Sequence, residues 1–372
     1  MNKTEKMTKR RRFLEAMQRK PTDGDLVWAP NFDYWLGINR AQGTLPEKYI
    51  NMGRNDIVRA VGGSVWNRAH ALEWRHDPAV KHIYGKRPNG VSYHEITTPI
   101  GSIYEEFAPA ESEHSSYAHT KHFITNRESL RIMTYIAESS QPAVNFDAAY
   151  KAIEETGEDG IVLHQVFCVP LIQFAKTDAG YMNAFYLMED YPDEADNLIA
   201  VYHKKYIEAL KLLSDTPADV IALGDNMDEV MISPKLFERY AVEFYQECKD
   251  ILKDSDSGKM LEAHWCGRTR HLLPFVPKTG LDVVEAVVTE PMADISLEAA
   301  LDILDGKVTL QGGIPSVLVC PGIVSQRDFE NYIESVVLKQ KGRLGFILGM
   351  ADNVPPDADF SRVEMIAGLI NI

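Results

Sequence analysis

The segment at residues 262–268, EAHWCGR, carries a histidine and a cysteine two positions apart. Successive strand residues alternate between the two faces of a sheet, so His264 and Cys266 face the same side if this segment is a strand. Imidazole and thiolate are preferred zinc ligands, and a catalytic zinc takes about three protein ligands and leaves one position open. The pattern is typical either of half a metal site or of two buried strand residues.

Other polar residues end or interrupt apolar runs, which makes them candidates for the same site. Asp225, Asn226 and Asp228 follow the run ADVIAL, Glu285 interrupts LDVVEAVV, Gln311 lies in KVTLQGG, and Asp352 follows FILGM. An unpaired buried carboxylate is costly, which predicts a metal or an arginine as the partner of Glu285. For Asp225 and Asp228 the sequence leaves three roles open: general acid, metal ligand or helix-start carboxylate.

The elements that must position these residues form an alternation of short apolar runs and amphipathic helices. The runs occupy residues 25–30, 161–168, 218–225, 259–266, 281–288, 307–313 and 343–350, and helices are predicted at 192–214, 233–252 and 325–340. Strands that alternate with helices pair in parallel through crossovers, so the fold class is α/β. We predict a (β/α)8 TIM barrel whose site lies at the carboxyl ends of the strands.

Two additions to the barrel are predicted. An N-terminal extension precedes the first strand, and residues 93–107, which alternate in polarity around a Pro-Ile-Gly turn, predict a β-hairpin inserted early in the barrel. The rival fold is a doubly wound open sheet, but the GxGxxG turn of its dinucleotide-binding version is missing. No linker or low-complexity segment interrupts residues 1–372, which predicts a single domain.

Charge and cysteine content exclude several classes of function. The net charge of -15 disfavours a nucleic-acid-binding protein. The basic run at residues 1–20 is interpreted as a solvated amphipathic helix rather than a membrane- or RNA-binding arm. Four cysteines do not form a disulfide framework, and neither a signal peptide nor a long apolar span is evident, so we expect a cytoplasmic protein. Cys168 and Cys248 are interpreted as structural, and His164 as a hydrogen-bonded core residue.

Several motifs resemble the uroporphyrinogen decarboxylase superfamily: RRRFLEAMQRKPTDGDLVWAP, ITTPIGSIYEE, MISPKLFERY, EAHWCG and the run GLDVVEAVVTEPMADISLEAALDILDGKVTLQGGIPS. The resemblance covers nearly the whole chain and implies a (β/α)8 barrel. The superfamily contains decarboxylases, with an arginine-rich stretch after the first strand, and corrinoid-dependent methyltransferases. Here residues 29–35 read APNFDYW, and these side chains cannot neutralise the carboxylates of a porphyrinogen.

The methyltransferase branch implies a zinc site. Its His-x-Cys ligands match His264 and Cys266, and Glu285 resembles an acidic ligand of the same branch. A further cysteine ligand of that branch is replaced by Asp352, so Asp352 and Cys320 are alternative ligands. The ether-demethylating members have an acid, an acid and a histidine at spacings that match Asp228, Glu243 and His264.

The resemblance and the residues together predict a zinc-dependent methyltransferase that moves a methyl group from a small donor, best an aryl methyl ether, to the cobalt of a separate corrinoid protein. The predicted zinc ligands are His264, Cys266 and Glu285, with Asp225 or Asp228 as the acid or substrate anchor. The predicted substrate-binding residues are Asn31, Tyr34, Asn226, Gln311 and Asp352. Aromatic residues Phe32, Tyr34 and Trp35 either stack on the substrate or pack the barrel.

Three alternatives stay open. One is the reverse half-reaction, from methylcorrinoid to a thiol or a pterin. Another is a metal-free, decarboxylase-like enzyme. The third is a non-catalytic metal- or corrinoid-binding partner.

Overall fold

A computed structural model describes residues 6–108, 118–255 and 257–370. Within these residues the chain forms fourteen strands: β1 Trp28–Ala29, β2 Val65–Arg68, β3 Leu72–Arg75, β4 Lys81–Lys86, β5 Ser92–Thr98, β6 Gly101–Phe107, β7 His119–Lys121, β8 Gln141–Val144, β9 Gly160–Val166, β10 Val220–Leu223, β11 Met260–His264, β12 Val283–Val287, β13 Thr309–Pro315 and β14 Phe346–Ala351.

The α-helices of the described residues are α1 Lys9–Met17, α2 Asp33–Gln42, α3 Arg54–Ala60, α4 Arg127–Ser139, α5 Phe146–Thr156, α6 Pro170–Ile172, α7 Tyr181–Asp190, α8 Pro192–Ser214, α9 Pro234–Tyr240, α10 Val242–Asp254, α11 Val276–Thr279, α12 Leu297–Leu304, α13 Gln326–Tyr332 and α14 Phe360–Ile370. Two segments, Gln173–Asp178 and Ile333–Val337, are π-helical. Short 3-10 turns occupy Glu47–Tyr49, Gly157–Asp159, Leu273–Phe275, Ser316–Val319 and Leu338–Gln340. Within the described part of the chain, no helix combines the length and the apolar character needed to cross a membrane.

The chain divides into two compact units. The barrel unit comprises Met1–Ala71, Phe146–Val166 and Thr216–Ile372, and the second unit comprises Leu72–Asn145 and Phe167–Asp215. The expectation of a single domain over residues 1–372 stays a prediction.

The barrel unit contains an eight-stranded parallel sheet in the order β1-β14-β13-β12-β11-β10-β9-β2. At its two edges the backbone N–H of Ser64 donates to the carbonyl of Trp28 at 2.7 Å, which joins the start of β2 to β1. With helices around it, this nearly closed sheet confirms the predicted (β/α)8 TIM barrel. Seven of its eight strands coincide with predicted apolar runs and extend beyond them by at most two residues, because parallel strands buried on both faces read as continuous apolar segments.

The strand that the sequence did not reveal is β2. It spans four residues, Val65–Arg68, and its sequence VWNR is half polar. A short strand of this composition has neither the apolar run nor the alternation that predicts a strand. It nevertheless completes the barrel, since it pairs in parallel with β9.

Helix α1 forms the predicted N-terminal extension, and residues 1–5 of the basic run lie outside the described residues. Phe13 and Met17 are fully buried in a core cluster with residues at the starts of barrel strands, among them Val220 and Met260. The apolar face of α1 therefore covers the amino-terminal end of the barrel. On its polar face, Arg10 pairs with the Asp219 carboxylate, so part of the basic run serves intramolecular ion pairs.

The other predicted helices are present, with internal breaks. Helix α8 matches the predicted 192–214 segment. The predicted helix at 233–252 is divided at Ala241 into α9 and α10, and the hydroxyl of Ser233 caps α9 by accepting from the Leu236 N–H at 3.4 Å. Ser325 caps α13 in the same way, and this helix continues as a π-helical segment after Tyr332.

The second unit contains the predicted hairpin. Strands β5 and β6 are antiparallel and pair Thr98 with Gly101 across the turn at Pro99 and Ile100. Gly101 has a φ of +144°, a conformation that a residue with a side chain rarely adopts. The hairpin is the centre of a four-stranded antiparallel sheet, β4-β5-β6-β7, and β3 pairs separately with β8.

Candidate functional site

The carboxyl ends of three barrel strands bring the candidate ligands together. Strand β11 ends at His264, Cys266 follows two residues later, and Asp352 comes directly after β14. The parallel register pairs His264 with Glu285 of β12, so both side chains leave the sheet on the same face. In a barrel, this end of the strands is where catalytic groups lie.

One nitrogen, one sulfur and one oxygen atom are grouped at this end. One ligand atom each from His264, Cys266 and Asp352 lies within 4.8 Å of the others, and the described residues contain no second group of this kind. Three protein ligands of these types fit a zinc ion with an open coordination position. Asp352 has a φ of +75°, an unusual backbone conformation for a residue with a side chain.

Glu285 contacts His264 on the ring edge opposite to Asp352, and its predicted role as a zinc ligand stays a prediction. Its Oε2 accepts a hydrogen bond from Nδ1 of His264, which leaves Nε2 of the same ring 3.6 Å from Oδ1 of Asp352. A carboxylate in this position fixes the orientation and tautomer of a metal-binding histidine. The structure therefore groups Asp352, rather than the predicted ligand Glu285, with His264 and Cys266, because cross-strand pairing holds Glu285 against the other edge of the imidazole.

The carboxylates set the protonation of this cluster. Burial disfavours the imidazolium of His264, but the charge of Glu285 and hydrogen bonds from the ring to Cys266 and Glu285 outweigh it and raise the pKa of His264 well above its usual value. Burial raises the pKa of Asp352, and Glu285 acts in the same direction. Burial, with the charge of Glu285, raises the pKa of Glu262 to about 8.

A cavity of about 160 Å³ opens beside the cluster, and His264, Glu285 and Asp352 form part of its wall. Three buried polar atoms on residues lining it have no hydrogen-bond partner among the described residues: Asn31 Oδ1, Trp66 Nε1 and Glu262 Oε2. Unsatisfied buried polar groups are costly, and several on one wall indicate a place where a ligand supplies the missing partners.

Trp66, Arg68 and Glu262 are among the cavity residues that the sequence did not predict. Trp66 and Arg68 lie on β2, the strand that sequence patterning missed. Arg68 lies over the Trp66 ring, 4.4 Å from its centroid, and pairs with the Asp33 carboxylate. The third residue, Glu262, lies two positions before His264 on β11, so the same alternation that grouped His264 with Cys266 also predicts Glu262 on that face.

The acids predicted to act on the substrate lie outside this cavity lining. Asp225 is fully buried, and its Oδ2 accepts a hydrogen bond from the Tyr245 hydroxyl at 2.5 Å. Asp228 accepts from the backbone N–H groups of Val230 and Arg268, at 2.7 and 3.2 Å. A Cβ on Gly267 would lie 2.5 Å from the Asp228 Cβ, so Asp228 packs directly against the turn that follows Cys266.

The predicted substrate-binding residues are divided between two environments. Asn31 and Asp352 line the cavity, and Nδ2 of Asn31 donates to the Asp352 carbonyl at 2.7 Å. Tyr34 and Asn226 are exposed and lie outside the lining. Gln311 is buried outside the lining as well, with an unpartnered Oε1 among the described residues.

The aromatic residues after the first strand pack within the protein. Trp35 stacks on Phe360 with ring centroids 3.8 Å apart, and Phe32 meets Phe360 edge-on at 5.3 Å. Both are almost completely buried. The packing alternative therefore applies to Phe32 and Trp35.

The remaining residues considered as ligands or site residues lie outside the group formed by His264, Cys266 and Asp352, which we call the ligand group. Glu243 is exposed on α10, and Cys320 is buried with its thiol 3.7 Å from the Ser316 carbonyl. Cys168 and Cys248 are buried, as expected of structural residues. His164 is confirmed as a core histidine, since its two ring nitrogens contact the Ala69 carbonyl and the Thr216 hydroxyl at 3.0 and 2.8 Å.

Comparison with known proteins gives one family and one similar fold. The sequence profile described as Uroporphyrinogen decarboxylase (URO-D) matches residues 172–371. A methyltransferase from Methanosarcina mazei is similar in structure, with a TM-score of 0.62 and 14% sequence identity, over 98% of this chain and 99% of that chain. At that identity the likeness establishes a shared fold alone.

A GH5-4 broad-specificity endoglucanase from an uncultured bacterium aligns over 68% of this chain and 86% of its own, with 10% identity and a TM-score of 0.39, which is too low to support an argument. No curated protein sequence matches the chain. The family profile covers more than half of the sequence, and the matched part contains His264, Cys266 and Asp352. The chain belongs to the uroporphyrinogen decarboxylase (URO-D) family.

Proposed function

We propose that this protein is a zinc-dependent methyltransferase that moves a methyl group from a small methylated donor to the cobalt of a corrinoid carried by a separate protein. The donor that we favour is an aryl methyl ether. The observation that carries the proposal is the grouping of His264, Cys266 and Asp352 at the carboxyl ends of the barrel strands. Family membership and the fold shared with a methyltransferase support it.

Zinc held by His264, Cys266 and Asp352 would supply Lewis acidity toward the oxygen of a bound ether. Glu285 holds the imidazole of His264 in place through Nδ1, so that Nε2 stays directed toward Asp352. The mixed nitrogen, sulfur and oxygen donor set carries less thiolate than a site built to activate a thiol. This composition favours ether chemistry over thiol methylation.

The cavity fits a small donor. At about 160 Å³ it is below the roughly 300–1,000 Å³ typical of sites for drug-sized ligands. Trp66 Nε1 offers a hydrogen-bond donor and Asn31 Oδ1 an acceptor, while Glu262 places an unpartnered carboxyl oxygen in the same wall. These groups would orient the ether and leave its methyl group free to react.

In the transfer itself, the bond between the methyl carbon and the ether oxygen breaks. The electron pair of the new cobalt–carbon bond would come from the reduced cobalt of the acceptor protein, and the ether oxygen would keep the old bonding pair. A phenolate is a good leaving group because its conjugate acid has a pKa near 10, as for tyrosine. It then takes up a proton from water.

The residues around the cavity argue against two other reactions, the decarboxylation of a porphyrinogen and methyl transfer to a thiol. Among its lining residues Arg68 is the single arginine or lysine, and its charge is already paired with Asp33, whereas Glu262, Glu285 and Asp352 contribute three carboxyl groups. Such a lining offers no unpaired positive charge to the carboxylates of a porphyrinogen. Cys320, the cysteine left open as an extra sulfur ligand, lies outside the ligand group.

Zinc analysis of the purified protein tests this proposal. We expect about one zinc per chain in the wild type, and its loss in His264→Ala and Cys266→Ala. Cys320→Ala is the matched control, because it removes a buried thiol outside the group and should keep its zinc. With reduced cobalamin as acceptor, the wild type should form methylcobalamin from an aryl methyl ether, and Cys266→Ala should not. Full zinc content in Cys266→Ala would contradict the ligand assignment, and zinc without methyl transfer would contradict the reaction.

A further inference from the structure

The second unit encloses a cavity of about 340 Å³ whose lining residues all belong to that unit. Its walls come from strand β3, helix α4 and helix α8. Trp74, Phe123, Met133 and Ile136 contribute much of the apolar surface, and Tyr206 contributes an aromatic ring. The volume is within the range of small-molecule sites, and the lining is mainly apolar and aromatic, as such sites are.

The aromatic rings form a layered group around Tyr206. The Tyr206 ring lies parallel to Phe167, with centroids 4.3 Å apart, and nearly parallel to Tyr202 at 5.7 Å. Trp74 lies 6.0 Å from Tyr206 in a tilted arrangement. Aromatic rings in stacked or tilted contact stabilise each other by more than the burial of their apolar area alone. This wall therefore favours a planar aromatic ligand.

Lys205 gives the cavity its charge. It lies on α8, lines the cavity and is 8% exposed. Among the described residues its ammonium makes one polar contact, with Glu208 Oε2 at 3.6 Å, which is too long for a hydrogen bond. An ion pair with one partly exposed partner, as Glu208 is here, stabilises the protein little. Burying an ammonium without a close partner is costly. The three N–H donors of Lys205 are therefore suited to an anion in the cavity.

The other ionisable group of the wall does not take this role. Asp178 is 4% exposed, and its two oxygens accept from the Tyr202 hydroxyl at 2.6 Å and from Gln173 Nε2 at 2.9 Å. Burial raises its pKa to about 7, so it is largely uncharged in mildly acidic solution. Asp178 thus neither pairs with Lys205 within 4 Å nor repels an anion there.

We propose that this cavity binds a small aromatic carboxylate, with its ring against Trp74 and Tyr206 and its carboxylate on the Lys205 ammonium. Aromatic walls with one buried cation match an aromatic ring with one negative charge. A phosphate would leave the apolar wall uncovered, and a neutral aromatic would leave the ammonium with only the 3.6 Å contact to Glu208. The site is independent of the proposed methyl transfer, since its residues and its ligand are separate from those of the barrel cavity.

Calorimetric titration with sodium benzoate near pH 6 tests the proposal without any turnover measurement. We expect binding in the millimolar range or tighter, and weaker binding of benzyl alcohol, which has a similar shape and no charge. Lys205→Met should weaken benzoate binding at least tenfold and leave benzyl alcohol binding nearly unchanged. Lys204→Met is the matched control, because Lys204 is exposed on the same helix. It should bind benzoate as the wild type does.

A second variant guards against a folding defect in Lys205→Met. Ala137 lines the cavity from α4 and is almost completely buried, so Ala137→Leu fills space and keeps the charge. It should also weaken benzoate binding at an unchanged unfolding midpoint. Absence of binding to the wild type, or an equal loss in Lys204→Met, would overturn the site. Hexanoate binding as tight as benzoate binding would overturn the aromatic assignment.

Discussion

The barrel cavity and the cavity of the second unit differ in the charge of their walls. The barrel cavity is lined by Glu262, Glu285 and Asp352, and its arginine is already paired. The second cavity is lined by aromatic and aliphatic groups around the single ammonium of Lys205. The first wall suits a cation and the second an anion. Each cavity therefore indicates the charge of its ligand through the charged side chains that line it.

A third region shows that titratable groups alone do not mark a binding site. In the antiparallel sheet of the second unit, the ring nitrogens of His94 contact His82 Nδ1 at 2.9 Å and Glu105 Oε1 at 3.2 Å. The other oxygen of Glu105 lies 2.9 Å from His119 Nε2. These groups partner one another, while the buried Nε2 of His82 has no hydrogen-bond partner among the described residues. The charge and apolar character of the whole wall, rather than a single titratable or unpartnered group, distinguish the two cavities.

The largest expected effect concerns the uncharged carboxyl of the second cavity. The Asp178 carboxyl has its ordinary pKa of about 3.8 when the chain is unfolded, and burial raises that pKa to about 7 in the folded state. Between these values the folded state holds a proton that the unfolded state has lost. The free energy of unfolding should therefore fall as the pH rises from about 4 to about 7, by on the order of 4 kcal/mol from this group, and then level off.

The variant Asp178→Asn cannot ionise and should lose this part of the pH dependence. Denaturant unfolding of both proteins between pH 4.5 and pH 8 measures the difference. Equal slopes in the two proteins would show that Asp178 is charged in the folded state, and the contrast between the two cavities would weaken.

The next effect separates the roles of the two barrel carboxylates. Asp352→Asn removes a proposed zinc ligand, and we expect zinc affinity to fall by more than about 100-fold. Glu285→Gln removes the charge that orients His264, for which a loss of about 10–100-fold is expected. Competition with a zinc-binding dye measures both affinities. A larger loss in Glu285→Gln than in Asp352→Asn would restore Glu285 as the direct ligand.

The smallest effect concerns Asp228, which contacts backbone N–H groups beside the Cys266 turn. Asp228→Asn keeps one acceptor and should lower the free energy of unfolding by about 1 kcal/mol. Methyl transfer should change less than threefold if Asp228 is structural. A loss of about 100-fold at unchanged zinc content would support the predicted catalytic role instead.

Much of the fold could be predicted because buried parallel strands carry a strong local signal. Seven barrel strands, the hairpin and α8 follow from apolar runs, a turn and helical periodicity. Strand β2 could not be predicted, because it is short and half polar and its strand conformation depends on pairing with β9. Because β2 was not predicted, Trp66 and Arg68 were missing from the predicted site as well.

The candidate site was predictable to a similar degree. Alternation along β11 correctly placed His264 at the strand end, and Cys266 follows it into the ligand group. The contact of Glu285 with His264 and the position of Asp352 depend on cross-strand register and on a turn with positive φ, neither of which one sequence reveals. The hydrogen bond between Asp225 and Tyr245 could not be predicted either, since Tyr245 lies on α10 and no local pattern links the two.

The pairing of β1 with β14 has a consequence for how the protein folds during synthesis. Trp28 and Ala29 pair with Leu348 and Gly349, which lie 320 residues later in the sequence. The barrel therefore cannot close until β14 has left the ribosome, and the apolar face of α1 lacks part of its cover until then. Such long-range pairing slows folding and exposes apolar surface to aggregation. The nascent chain is consequently most vulnerable just before β14 emerges, which is when a chaperone would protect it most.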